Sequence, residues 1–260
     1  MVRVRYSSEP GLRGELLASS AERIPQAEAR RRFGAKRQNA MTGNGAEPFA
    51  TERWTMVERQ LRQRGIHDDR LLAAMLKVPR HEFVSRQNWS EAYADHPLLI
   101  GEQQTTSQPY MIAAMVQAAQ IKPEDRVLEI GAGSGYQTAL LAELASQVFA
   151  VERYASLVES ARQTLERLGY RNVEIVAGDG SLGLPESAPY DAIIVSAAAP
   201  QVPPALLEQL ARGGRLLIPV GDTQQQVLKL VRRDALGNVS VQTLEGCRFV
   251  PLIGEQGFAA

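Results

Sequence analysis

From about residue 51 the chain alternates between apolar residues at helical spacing and short, unbroken apolar runs bounded by glycine or polar turns. Trp54, Val57 and Leu61 recur three and four apart, which predicts an opening helix. Residues 68–78 read as a second amphipathic helix, stopped at Pro79. Residues 93–110 are polar and extended, and a helix is expected over 111–119. Four runs then read as buried strands: Arg126-Val-Leu-Glu-Ile130, Gln147-Val-Phe-Ala-Val-Glu152, a third from Val173 ending in Asp179, and Asp191-Ala-Ile-Ile-Val195. Helical stretches over 138–145 and 154–168 separate the first three. Such alternation predicts an α/β fold with a doubly wound, mostly parallel sheet, whose ligands sit beyond the carboxyl ends of the strands.

Those strand ends carry the candidate chemistry. The first strand breaks into Gly131-Ala-Gly-Ser-Gly135, a turn that opens a helix. Its G-x-G-x-G spacing lacks the third glycine of a dinucleotide fingerprint, because Tyr136 stands there. No lysine follows the glycines as in a phosphate-binding loop, and Glu129 before them would repel a phosphate. A neutral or cationic nucleoside fits better. S-adenosylmethionine is such a ligand, with an ammonium that Glu129 can pair. Glu152 closes the second strand, where an acid holds a ribose through both hydroxyls. Asp179, between Gly178 and Gly180, can accept from an adenine amino group while the glycines admit the base against bare backbone. Ser196 follows the fourth strand. Ser107 sits where a helix N-cap belongs, with Pro109 in the first turn.

Composition narrows the class of protein. With 260 residues, 44% of them hydrophobic, the chain can bury a sizeable core. A single cysteine, Cys247, excludes an intrachain disulfide and fits a reducing cytoplasm. His67, His81 and His96 are scattered without a metal-ligand spacing, so no metal is expected. No apolar run reaches the length of a bilayer span. Of the 29 basic and 29 acidic residues, nine and five fall in residues 1–50, so that stretch carries +4 and the remainder −4. With few large apolar residues and no sustained period, residues 1–50 read as a basic, disordered extension, and nucleic acid is not expected as a partner.

Several segments together carry a resemblance: Pro79-Arg80 with Phe83, Tyr93 with Asp95 and Pro97, Ile100-Gly101, Thr105-x-Ser107-Gln-Pro-Tyr-Met111, Leu128-Glu-Ile-Gly-Ala-Gly-Ser-Gly-Tyr-Gln-Thr138, Val151-Glu-Arg153, Gly178-Asp-Gly180, Tyr190-Asp-Ala-Ile-Ile194 and Arg248-Phe-Val-Pro-Leu252. From about Thr51 to its end the chain resembles bacterial protein-L-isoaspartate O-methyltransferases. The resemblance implies a class I S-adenosylmethionine-dependent methyltransferase fold, with N-terminal helices and antiparallel C-terminal strands. It also implies methyl esterification of the free α-carboxylate of L-isoaspartyl residues in aged proteins and peptides. The ester then closes to a succinimide whose hydrolysis returns some normal aspartyl. One domain is expected over 51–260: an acceptor-binding part over 51–122, a cofactor core over 123–220 and terminal strands over 221–260. On this resemblance Ser107 is the active-site serine. The cofactor is expected at Glu129, Gly131, Ala132, Gly133, Gly135, Glu152, Arg153, Asp179 and Gly180, and the acceptor at Thr105, Thr106, Ser107, Gln108, Pro109 and Val250. A monomer is expected. Leu99, Gln103 and Thr106 stand where bacterial members often have Pro, Gly and Ile, departures that bear on the peptide groove.

The chemistry suits these residues. A carboxylate with a pKa of about 4 is already ionised at neutral pH and attacks a sulfonium methyl without a general base. What the enzyme must supply is alignment, and a neutral Ser107 hydroxyl orients the acceptor without quenching it. Other reactions fit less well. Amino-group methylation needs polar and aromatic residues after the fourth strand, where this chain has Ser196-Ala-Ala-Ala-Pro200. Cys247, in a strand-like terminal segment, reads as a buried small residue and not as a nucleophile for pyrimidine-carbon methylation. A non-catalytic S-adenosylmethionine-binding regulator, with the basic extension touching nucleic acid, is the alternative that methyl-transfer assays separate.

Overall fold

The computed structural model describes residues 4–6 and 48–259. The expected extension over 1–50 therefore falls almost wholly outside the described residues. Of it, only β1 (Val4–Tyr6), which pairs parallel with the last long strand, and residues 48–50 at the start of the first helix are described.

An eight-stranded sheet forms the centre. Its parallel part comprises β4 (Arg126–Ile130), β5 (Gln147–Glu152), β6 (Val173–Ala177) and β7 (Tyr190–Val195), with β8 (Leu210–Gly221) added parallel to β7. The antiparallel strands β9 (Gln226–Arg233) and β10 (Val239–Cys247) extend that edge, giving the order β1-β10-β9-β8-β7-β4-β5-β6. From β4 the chain winds outward through β5 and β6, then returns to lay β7 on the other side. The crevice of a doubly wound sheet thus opens between β4 and β7. Both faces of the middle strands are covered, which is why they read as continuous apolar runs.

Side chains alternate across β4. Leu128 and Ile130 enter one apolar cluster with Phe149 and Ile193, while Val127 enters the other with Val148 and Ile194. Glu129 shares the face of Val127. That face is packed by α1 (Ala50–Thr55, continued as a π-turn over Met56–Leu61), α2 (Asp69–Lys77) and α3 (Pro109–Ala119), which bury Met56, Leu71, Met75 and Met115. Asp68 caps α2 by accepting from the N–H groups of Arg70 and Leu71. The remaining α-helices among the described residues are α4 (Tyr136–Ala142), α5 (Ala155–Arg167) and α6 (Pro204–Glu208).

Two local expectations change. The extended stretch before α3 is a hairpin, β2 (Leu98–Gly101) with β3 (Gln104–Thr106), turned by Glu102 and Gln103 at φ 49° and 57°. Two successive left-handed residues make the primed turn that matches strand twist, normally the work of Asn-Gly, and that missing signal hid the hairpin. Ser107 is not the cap of α3. The N-cap position is Gln108, which gives no side-chain bond, and Asp95 Oδ1 takes the Tyr110 N–H at 3.0 Å instead. A distant carboxylate thus does the capping, which local sequence cannot reveal.

Candidate active site

Backbone geometry builds the cavity floor. Gly131, Gly133 and Gly135 all have left-handed φ of 85°, 54° and 86°, a conformation side chains rarely adopt. Gly135 begins α4 and is also pressed against α5, where a Cβ would lie 3.2 Å from Ala161 Cβ. Ile100 of the hairpin closes over Gly133 from above. Between them lies a cavity of about 330 Å³ lined by the glycine loop, Glu129, Glu152, Arg153, Gly180, Ser196 and the hairpin. Its size is that of a small-molecule site.

The acids differ sharply in environment. Glu129 is fully buried and accepts from Thr138 Oγ1 at 2.6 Å and Gln137 Nε2 at 2.9 Å. Burial pushes its pKa up to about 8; the bonds from Thr138 and Gln137 oppose the rise and the charge of Glu152 adds to it. Gln137 Nε2 also donates to Ser196 Oγ at 2.9 Å, tying the ends of β4 and β7 together. Glu152 accepts from Gly133 N–H on one oxygen and Tyr154 N–H on the other, at 2.9 and 3.0 Å. Each oxygen retains a lone pair for a ligand hydroxyl. Asp179 accepts from Ser181 N–H and Oγ on Oδ1, and from the Glu255 N–H on Oδ2. Partial burial raises its pKa, but the bonds from Glu255 and Ser181 outweigh this and hold it below the usual carboxylate range. It lines a neighbouring cavity of about 330 Å³ that shares Arg153 and Ile253 with the first. Gly180 is confined to glycine, since a Cβ there would collide with Ile130 Cγ2.

A third cavity, about 320 Å³, lies on the other side of a shared wall made by Thr105, Ser107, Ser196 and Val250. Val250 reaches this wall because the C-terminal segment is pinned beside the alanines after β7: Ala198 N–H donates to Val250 O at 2.8 Å and Leu252 N–H to Ala198 O at 2.7 Å. Ser107 is held through its carbonyl, which accepts from Arg80 Nη2 at 2.9 Å. Arg80 is wholly buried, donates also to Ala92 O at 2.8 Å and Thr106 Oγ1 at 3.4 Å, and lies 4.7 Å from the Tyr136 ring centroid. Burial lowers its pKa. The Ser107 hydroxyl makes no hydrogen bond with a described residue, so it is available to a ligand.

Most of the expected site residues thus line these three cavities, with differences in detail. Gly135 and Pro109 line none of the three cavities; the first serves helix packing and the second is the buried first residue of α3. Gln108 lines the outer cavity and Thr106 the inner one. Of the departures noted above, Leu99 is exposed on the hairpin, Gln103 occupies its left-handed tip, and Thr106 is buried against Arg80. The sequence assigns no role to Arg80, Gln137 or Thr138, although Gln137 and Thr138 stand in the first turn of α4 and donate to Glu129. No cluster of metal-ligating residues occurs among the described residues.

Sheet order, glycine loop and acids at successive strand ends define a class I S-adenosylmethionine-dependent methyltransferase, and the cofactor is S-adenosylmethionine. A cavity walled by close-approaching backbone and by carboxylates with spare lone pairs fits that group. Residues 52–257 match the family model of protein-L-isoaspartate(D-aspartate) O-methyltransferase, and the chain belongs to that family. It is 55% identical over 211 residues to a protein-L-isoaspartate O-methyltransferase of Koribacter versatilis, covering 81% of this chain and 95% of that protein. Against the one from Methanoculleus marisnigri the identity is 53% over 214 residues, covering 82% and 96%. Among solved structures, one protein-L-isoaspartate O-methyltransferase superposes with a TM-score of 0.72 at 31% identity, over 79% of this chain and 67% of that one. A Plasmodium falciparum structure, described as a beta-aspartate methyltransferase of this type in complex with S-adenosyl-L-homocysteine, gives 0.67 at 28% identity, over 76% and 97%.

Proposed function

We propose that this chain transfers the methyl group of S-adenosylmethionine to the free α-carboxylate of L-isoaspartyl residues in proteins and peptides. The observation that carries the reading is Ser107, whose unspent hydroxyl stands in the wall shared by the inner and outer cavities. Bound in the inner cavity, the cofactor supplies an electrophilic methyl on a sulfonium. Glu152 accepts from the ribose hydroxyls through its spare lone pairs, and Glu129 pairs with the ammonium of the amino-acid end. The glycine loop and Gly180 admit the nucleoside close to backbone, and Asp179 with Arg153 borders the space for its base. Thr105, Ser107, Gln108 and Val250 border the acceptor in the outer cavity. Ser107 Oγ donates one neutral hydrogen bond to the carboxylate, fixing its direction while leaving the attacking oxygen nucleophilic. Arg80 does not touch the acceptor; it fixes the backbone that carries Ser107.

One chain walls both cavities, which supports a monomer acting alone. The family match over 52–257 supports a catalytic unit spanning 51–260, with its acceptor part, cofactor core and terminal strands at 51–122, 123–220 and 221–260. The lone thiol of Cys247 supports a reducing, cytoplasmic setting. The test is transfer of labelled methyl from S-adenosylmethionine to an isoaspartyl peptide, with the matching aspartyl peptide as control. Base-labile label on the first peptide alone is expected; equal labelling of both, or of neither, overturns the reading.

A further inference from the structure

Among the described residues, Arg248 is the one charged residue in the lining of the outer cavity. Its other walls are apolar or neutral, among them Pro97, Met111 and Phe249, with Gln108 beside Ser107. Arg248 is exposed and makes no hydrogen bond or ion pair with any described residue. The backbone next to it is nevertheless fixed. Gln226, itself 5% exposed, accepts from the Phe249 N–H at 2.7 Å and donates to the Phe249 carbonyl at 3.3 Å, while Ala198 holds the carbonyl of Val250. An uncompensated cation is therefore presented at the cavity from a clamped strand end.

We propose that Arg248 is a specificity-determining residue that favours acceptor peptides carrying a second carboxylate beside the isoaspartyl residue and disfavours those carrying a cation there. The inference rests on the assignment of the outer cavity to the acceptor. A flanking Glu or Asp side chain gains an ion pair at the cavity, whereas a flanking Lys or Arg meets a like charge. Because the guanidinium is exposed, the gain is that of a surface pair, about two- to fivefold in KM, and it weakens as salt screens it. The methyl-accepting carboxylate itself is oriented by Ser107, so kcat is expected to change little between peptides.

Three isoaspartyl peptides, differing only in Glu, Gln or Lys at the flanking positions, distinguish the outcomes with the full chain. For the wild type, kcat/KM should fall in the order Glu, Gln, Lys, through KM, with the spread narrowing at high ionic strength. Arg248→Lys should keep the order and Arg248→Glu should reverse it, both with unchanged affinity for S-adenosylmethionine by calorimetry. A wild type indifferent to the flanking charge, or an Arg248→Glu protein that retains the original order, overturns the proposal. Absence of methylation on all three peptides by the wild type would instead overturn the acceptor assignment on which it rests.

Discussion

Replacing Glu129 by Gln should make the cofactor-free protein more stable while weakening cofactor binding. Glu129 has no exposure and sits on the apolar face of β4, with its pKa moved from an ordinary 4.5 to about 8. Between those values the folded protein retains a proton that the unfolded chain has released, so this residue draws stability down as pH rises, by about 1.4 kcal/mol per pH unit. The full effect is reached above pH 8 and amounts to about 5 kcal/mol at most, since the pKa rises from 4.5 to about 8. Water entering the cavity reduces it. Gln is nearly isosteric and has no charge to desolvate. Its amide oxygen can accept from Gln137 and its nitrogen can donate to Thr138 Oγ1, so neither partner is stranded. The assay is thermal unfolding of both proteins without cofactor from pH 4.5 to 9, read as the difference in Tm so that other titrations cancel. The gap should be close to zero at the acid end and widen in favour of Glu129→Gln up to about pH 8, by about 2–4 °C for each kcal/mol in a domain of this size. Calorimetry above pH 8 should show the variant binding S-adenosylmethionine more weakly by about 1.5–3 kcal/mol, the scale of a hydrogen bond to a charged group. A Tm gap that stays constant across the range, or a wild type that gains on the variant as pH rises, would refute the reasoning.

Glu152→Ala should weaken cofactor binding by about 1.5–3 kcal/mol, roughly ten- to over a hundredfold in Kd; unchanged affinity in a folded protein would remove Glu152 from the site. Ser107→Ala should lower kcat on isoaspartyl peptide by about two- to tenfold, the worth of one neutral hydrogen bond, with cofactor affinity close to wild type. Complete loss of turnover would point to a covalent role, and no loss would exclude Ser107 from the acceptor. Arg80→Lys should reduce turnover more than cofactor binding, since a single ammonium cannot reproduce the bonds to Ala92, Thr106 and Ser107 in one geometry; steady-state kinetics equal to wild type would show that the Ser107 backbone holds its place unaided.

What could be read from the chain followed from local, periodic signals. The parallel strands announced themselves because both faces are buried, and Asp68 announced the start of α2 because its cap is local. The acids Glu129 and Glu152 were legible because strand ends converge in any doubly wound sheet. The rest depends on contacts between residues far apart in the chain. Asp95 caps α3 from fifteen residues away, which freed Ser107 from the role its position suggested. The hairpin turn uses Glu102 and Gln103 in a conformation that sequence would assign to Asn or Gly. Glu129 was recognised as a site acid, but its full burial depends on helices packed from the N-terminal third, so its raised pKa had no local signature. Likewise the support of Ser107 comes from Arg80, twenty-seven residues earlier.

The most direct measurement follows the acceptor itself by mass spectrometry. An isoaspartyl peptide incubated with this protein and S-adenosylmethionine should first gain one methyl at the α-carboxylate of the isoaspartyl residue, then lose methanol to form the succinimide. With repeated turnover a growing share of the peptide should carry normal aspartate, while the aspartyl control stays unmodified. Methyl found elsewhere on the peptide, on the aspartyl control to the same extent, or on Ser107 of the protein would contradict the assignment.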